Sequence, residues 1–234
     1  MISKHIRYTA IAIFALAAFA VEAQEKTELK DTRQKSSYAI GLDIGSNFKR
    51  QDIDIDAKAL AAGIADALAG KPQLTDAEAK QVLSELRAQL MAKAESKEKE
   101  ASDKNQKDGE RFLSENKTKP GVKTTASGLQ YKVLKSGSGK TPKPTDTVKV
   151  HYHGTLIDGS VFDSSVERGD PAMFGVTQVI PGWTEVLQLM KEGDKWQVYI
   201  PSQLAYGPRS PSPKIGPNST LIFDVELLSI EKPN

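Results

Sequence analysis

Six rings, Tyr152, Phe162, Phe174, Trp183, Tyr206 and Phe223, fall in short segments between Val150 and Asp224, each beside a glycine or a polar residue. Aromatic residues make up only 6% of the chain, so this concentration predicts a small cavity walled by rings. No activated nucleophile accompanies them, because Ser164 and Ser165 lie in no nucleophile-elbow pattern and have no evident base. Such a cavity can still speed a reaction that breaks no covalent bond, and rotation about an X–Pro amide is one. Its barrier is ~18–20 kcal/mol because the planar amide has partial double-bond character. Twisting the bond localises the nitrogen lone pair and reduces charge separation, so apolar walls favour the twisted state over the planar one. His151 and His153 share one strand face, but the chain has no cysteine and no other histidine beyond His5. A third ligand is therefore lacking, and neither a metal nor a cofactor is expected.

The elements that must position these residues are strands. Leu129 to Leu134 alternates apolar and polar residues, Ser136-Gly137-Ser138-Gly139 turns the chain, and Thr147 to Tyr152 alternates again. Asp158-Gly159 is a hairpin signal. Pro181 opens a short helix over Gly182 to Leu189, and Lys195 to Ile200 and Thr220 to Ile230 supply further strands. The sum is an α+β domain, a twisted antiparallel sheet with one helix, whose core includes Val148, Val150, Leu221 and Val225. Taken alone, Trp183 reads as a core anchor and Asp163 as the cap of a turn.

The preceding half is helical. One helix is predicted over Gln34 to Lys49 and a second over Asp56 to Ala69, closed by Gly70-Lys71-Pro72. Thr75 and Glu78 form a capping box that opens a helix reaching Ser114, on the order of 60 Å long at 1.5 Å per residue. Its apolar stripe, Val82, Leu83, Leu86, Leu90 and Ala94, gives way to charged residues from Glu95 to Arg111 at the spacings Glu95/Lys99, Glu100/Lys104 and Asp103/Lys107. This segment is expected to be a solvated rod between two domains, with a disordered charged linker as the alternative. So few helices bury too little surface by themselves, which predicts a homodimer through the N-terminal domain.

The chain has 234 residues, 38% of them hydrophobic and 26% charged, with a net charge of +2, which permits two domains and argues against a dedicated nucleic-acid binder. Lys4 and Arg7 precede an apolar run from Thr9 to Val21, and Val21-Glu22-Ala23 fits a cleavage site, so residues 1–23 read as a secretory signal. No later segment is apolar for long enough to span a membrane. Without cysteine there is neither a disulfide nor a lipidated N-terminus, so the product is expected to be exported but not a lipoprotein.

The runs Val150-His151-Tyr152-His153-Gly154, Phe162-Asp163-Ser164-Ser165, Val179-Ile180-Pro181-Gly182-Trp183, Leu204-Ala205-Tyr206-Gly207 and Leu221-Ile222-Phe223-Asp224-Val225-Glu226-Leu227 resemble the FKBP-type peptidyl-prolyl isomerases. Ser37-Tyr38-Ala39-Ile40-Gly41 and Ile44-Gly45 resemble the dimerising domain of the macrophage infectivity potentiator group. The resemblance implies an all-α dimerisation domain over residues 24–74, a long connecting helix over 75–118, and an FKBP-like sheet wrapped on one short helix over 119–234. It implies that Trp183 floors the pocket, with Tyr152, Phe162, Phe174, Val179, Ile180, Ile215 and Phe223 as walls. The Ile180 N–H would hold a substrate carbonyl, Asp163 would sit beside the rotating amide, the Tyr206 hydroxyl would donate to the ligand, and Arg168 would orient Asp163. The implied partners are unfolded or proline-containing polypeptides, and macrolide inhibitors. The implied role is assisting the folding of exported proteins in a periplasm, the alternative being a proline-recognising chaperone whose isomerase activity is incidental. Two features depart from the family pattern. The loop Pro208 to Lys214 is proline-rich where a glycine-rich stretch is usual, which predicts a stiffer, more extended flap. Ala172 replaces a ring, which opens one wall.

Overall fold

The structure, a computed structural model, describes residues 28–231, so the secretory signal read over residues 1–23 lies outside the described residues. The chain divides into two compact units, Met1–Gln73 and Leu74–Asn234.

The first unit contains α1 (Thr32–Arg50) and α2 (Ala57–Ala69). Asp31 caps α1 by accepting from the Gln34 N–H at 2.8 Å, and Asp56 caps α2 by accepting from the Lys58 and Ala59 N–H groups. Gly70, at φ 67°, ends α2 in the left-handed conformation that a residue without Cβ adopts freely. Neither helix holds a buried residue. Tyr38, Ile40, Leu42, Ile64 and Leu68 are all exposed, Leu68 by 86%.

The second unit opens with α3 (Asp76–Asn116), a continuous helix of 41 residues. Its capping box is formed: the Glu78 carboxylate accepts from the Thr75 N–H at 2.8 Å while the Thr75 hydroxyl accepts from the Glu78 N–H at 3.3 Å. The charged stretch is therefore helix rather than linker, supported by the pairs Lys99–Asp103, Lys104–Asp108 and Arg111–Asp108. These are not the pairs expected from the sequence: Lys99 and Lys104 turn toward the acid on their C-terminal side, and Arg111 toward the acid three residues before it.

The last turns of α3 are not solvated all round. They pack on the sheet through polar groups, which hydrophobic periodicity does not reveal. Asn116 is fully buried and donates to Gln130 Oε1 at 3.0 Å, while Gln130 Nε2 donates to the Leu113 carbonyl at 2.8 Å. Phe112 meets Tyr199 with ring centroids 5.9 Å apart. A Cβ on Gly109 would lie 2.3 Å from Thr220 Oγ1, so only glycine permits this approach.

The sheet has seven strands, β1 (Val122–Thr124), β2 (Gln130–Lys135), β3 (Thr147–Leu156), β4 (Val161–Ser164), β5 (Ala172–Gly175), β6 (Lys195–Ile200) and β7 (Leu221–Glu231). Their order is β1-β2-β6-β7-β3-β4, with β5 also on β3, and every pairing is antiparallel. The long β3 alternates buried and half-buried residues along its length, the signature of a strand with one face on the core. Val148, Val150, Leu221 and Val225 are fully buried on that face.

The helix of the domain, α5 (Pro181–Leu187), lies on the same face and buries Gly182, Trp183, Val186 and Leu187. It ends two residues earlier than its apolar pattern suggests. A Cβ on Gly182 would lie 2.5 Å from Ile200 Cγ2, so the glycine sets how closely α5 seats. The short strands β1 and β5 have no counterpart in the sequence-based expectation, and neither has the single turn α4 (Ser165–Arg168), capped by Ser164 accepting from the Glu167 N–H. One turn is too short to show helical periodicity.

Candidate active site

A cavity of about 710 Å³ opens between β3, β4, β5, α5 and the segment leading into β7. Trp183, on the first turn of α5, is only 4% exposed and forms its floor. Three rings meet the indole nearly at right angles: Tyr152 at 5.5 Å, Phe174 at 5.6 Å and Phe223 at 5.2 Å. Phe162 meets Phe223 at 5.4 Å in the same manner. Edge-to-face contacts place the positive rim of one ring on the negative face of the next, so the walls hold one another in place. Gly154 on β3 makes room for them, since a Cβ there would lie 2.7 Å from Phe162 and 2.9 Å from Phe223.

One rim of the cavity is polar. The Tyr152 hydroxyl donates to Asp163 Oδ2 at 2.5 Å, and Arg168 donates to Asp163 Oδ1 through one guanidinium nitrogen and to the Tyr152 hydroxyl at 2.9 Å through another. Arg168 is carried by α4, with its guanidinium 5.6 Å from the Tyr152 ring centroid. Burial on its own would raise the Asp163 pKa, but the hydrogen bonds from Tyr152 and Arg168 and the guanidinium charge outweigh it and hold the carboxyl below its ordinary 3.8. Burial, reinforced by the bond to Asp163, pushes the Tyr152 phenol above its ordinary 10.0. At neutral pH the cavity therefore presents a carboxylate beside a neutral phenol.

Two further donors border the cavity. Ile180, at φ −59° and ψ 149°, precedes Pro181 at the start of α5, and its N–H has no acceptor among the described residues. The Tyr206 hydroxyl, just after a 3-10 turn over Ser202–Leu204, likewise makes no hydrogen bond among the described residues. Val179 and Ile215 complete the apolar wall. Every residue expected at the pocket lines it except Arg168, which stands behind Asp163 and Tyr152.

Gln178, Pro181, Ala205, Arg209 and Ser212 also line the cavity and were not expected from the sequence. Arg209 and Ser212 belong to the proline-rich loop, whose motif describes backbone stiffness and not side-chain direction. That loop is not extended. The Arg209 N–H donates to the Tyr206 carbonyl, the Ile215 N–H to the Ser212 carbonyl, and the Asn218 N–H to the Gly207 carbonyl at 2.7 Å, folding it into successive turns. The prolines, lacking N–H groups, leave these bonds to their neighbours.

The paired histidines have a structural role. His151 Nδ1 lies 3.1 Å from Ser165 Oγ and His153 Nδ1 lies 3.0 Å from Ser164 Oγ. Ser165 Oγ also accepts from the Tyr152 N–H at 2.8 Å, which fixes that serine to the backbone. Among the described residues, no group of three or more His, Cys, Asp or Glu side chains could hold a metal ion.

An apolar floor, ring walls and a few fixed donors suit a small, hydrophobic ring flanked by peptide carbonyls. Comparison with known proteins points the same way. Residues 138–228 match the family described as FKBP-type peptidyl-prolyl cis-trans isomerase, and residues 33–133 match the domain amino terminal to it. "Outer membrane protein MIP" of Legionella longbeachae is 49% identical over 223 residues, covering 94% of this chain and 96% of that one. The "FKBP-type peptidyl-prolyl cis-trans isomerase FkpA" of Aeromonas hydrophila is 47% identical, over 89% of this chain and 80% of that one. The crystal structure of FkpA from Escherichia coli superposes with a TM-score of 0.72 at 42% identity, covering 87% of this chain and 99% of that chain. With both parts of the family matched in order along its length, this chain belongs to the FKBP-type peptidyl-prolyl cis-trans isomerases.

Proposed function

We propose that the isomerase acts at the Trp183 cavity on proline-containing segments of unfolded exported proteins, as one half of a homodimer in the periplasm. The observation that carries the site is the set of perpendicular rings closed around Trp183, with an ionised Asp163 at their rim. The prolyl ring sits on the indole, where the apolar walls favour the twisted amide. The Ile180 N–H holds one flanking carbonyl and the Tyr206 hydroxyl another. Asp163, kept in place by Tyr152 and Arg168, lies beside the rotating bond. These donors are oriented before substrate arrives, so little reorganisation is needed as the bond turns. The uncatalysed event takes tens to hundreds of seconds, slow enough to limit folding. The same apolar cleft suits macrolide inhibitors.

Asp163 has a pH signature. A carboxyl whose folded pKa is depressed is fully ionised above its ordinary 3.8, and its contribution is lost as pH falls through the lowered value. The activity ratio of wild type to Asp163→Asn is therefore expected to stay constant from about pH 5 to about pH 9 and to approach one only in stronger acid. A profile of both enzymes on a proline-containing tetrapeptide checks this. A ratio falling between pH 5 and 7 would mean that Asp163 is not held ionised.

The dimer reading rests on α1 and α2, whose apolar side chains find no burial within their own chain. A second copy supplies the missing surface. Two cavities carried on long α3 helices would clasp one client, the second attachment being favoured by its effective concentration. Among the described residues no helix is long and apolar enough to cross a membrane. Removing residues through Gln73 is expected to give a monomer that retains activity on a short peptide but loses potency on a refolding protein. Mass measurement in solution and the two assays check it, and equal potency on both substrates would refute the clasp.

A further inference from the structure

The loop between β6 and β7 carries five cavity residues, Ala205, Tyr206, Arg209, Ser212 and Ile215, yet its crest from Pro208 to Pro211 is exposed. Its two stems are tied together at Asn218, whose N–H donates to the Gly207 carbonyl at 2.7 Å. Asn218 takes φ 53°, a left-handed conformation that asparagine tolerates better than most residues. This knot bears on α3. Asn218 Nδ2 donates to Ser102 Oγ at 2.8 Å. Asn105 Nδ2 donates to the carbonyl of the buried Pro217 at 2.9 Å and reaches Ser219 Oγ at 3.5 Å. Ser219 in turn donates to the Gly216 carbonyl at 2.9 Å. The fit is close, because a Cβ on Gly216 would lie 2.9 Å from Asn105 Nδ2.

We propose that Ser102 and Asn105 are positioning residues of the isomerase site, acting through Asn218 and Pro217 to fix the loop that closes one side of the cavity. The inference rests on the cavity being where substrate binds. Neither residue touches the cavity. Each satisfies a polar group of the loop that would otherwise be hydrated in many arrangements, and so reduces the number of positions open to Tyr206 and Ile215. Ordering a loop before binding spares the ligand that cost. The helix that joins the two halves of the protein is thus part of the substrate site's frame.

The test is made in the full-length protein. Ser102→Ala/Asn105→Ala is expected to raise KM for a prolyl tetrapeptide roughly fivefold, the scale of one net hydrogen bond, with kcat nearly unchanged. Trypsin should cut faster after Arg209 and Lys214, a readout that a purely stabilising role for α3 would leave alone. Ser102→Thr keeps the hydroxyl acceptor and should behave as wild type where Ser102→Ala does not. If the double variant fails to fold, Ser102→Ala alone, which introduces a stronger helix former, is read by the same two measurements. Wild-type KM together with wild-type cleavage would overturn the proposal, provided that Asp163→Asn loses activity in the same assay. An Asp163→Asn enzyme as active as wild type would overturn the cavity assignment, and the loop's role with it.

Discussion

Trp183→Ala is expected to lower kcat/KM on a prolyl tetrapeptide about a hundredfold, equivalent to ~3 kcal/mol of transition-state stabilisation. On the proposed binding mode the indole is the floor on which the substrate ring rests, and alanine leaves a void in its place. The same change removes the contacts to Tyr152, Phe174 and Phe223. Truncating a buried aromatic side chain costs about 3–5 kcal/mol of stability, so the denaturation midpoint of the catalytic unit should fall as well. Activity must therefore be measured where the variant is still folded, with circular dichroism as the check. A folded variant with near wild-type activity would reduce Trp183 to a core anchor.

Asp163→Ala separates chemistry from packing. The Asp163 side chain is nearly half exposed, so little of the core depends on it. Its removal leaves the Tyr152 hydroxyl without its acceptor and Arg168 without its anion. Isomerase activity is expected to fall at least roughly tenfold while the unfolding midpoint moves little. The same variant decides between enzyme and chaperone. Suppression of aggregation that survives the loss of isomerisation would make proline recognition an independent activity of the cavity. Parallel loss of both would bind the two together.

The sequence discloses most strongly what is periodic or chemically compact. The alternation in Thr147 to Tyr152 locates β3, and the Thr75–Glu78 box locates the start of α3 to the residue. The pocket residues implied by the family resemblance line one cavity, with Arg168 placed behind its wall. What stayed hidden depends on polar contacts between segments far apart in the chain. Asn116 and Gln130 carry no hydrophobic signal, yet they seat the end of α3 on the sheet. Arg209 and Ser212 reach the cavity only because backbone turns around prolines aim them there, and those turns depend on Asn218 bonding back to Gly207. The turn α4 is legible only through its partners, since one turn of helix has no period to detect.

The absence of any buried residue in α1 and α2 has a thermodynamic consequence on the homodimer reading. Order in that unit would belong to the pair and not to the single chain, so dilution would loosen it by mass action while the sheet and its cavity remained indifferent. Such a protein has no single melting temperature: one portion answers to how much of it is present, the other does not.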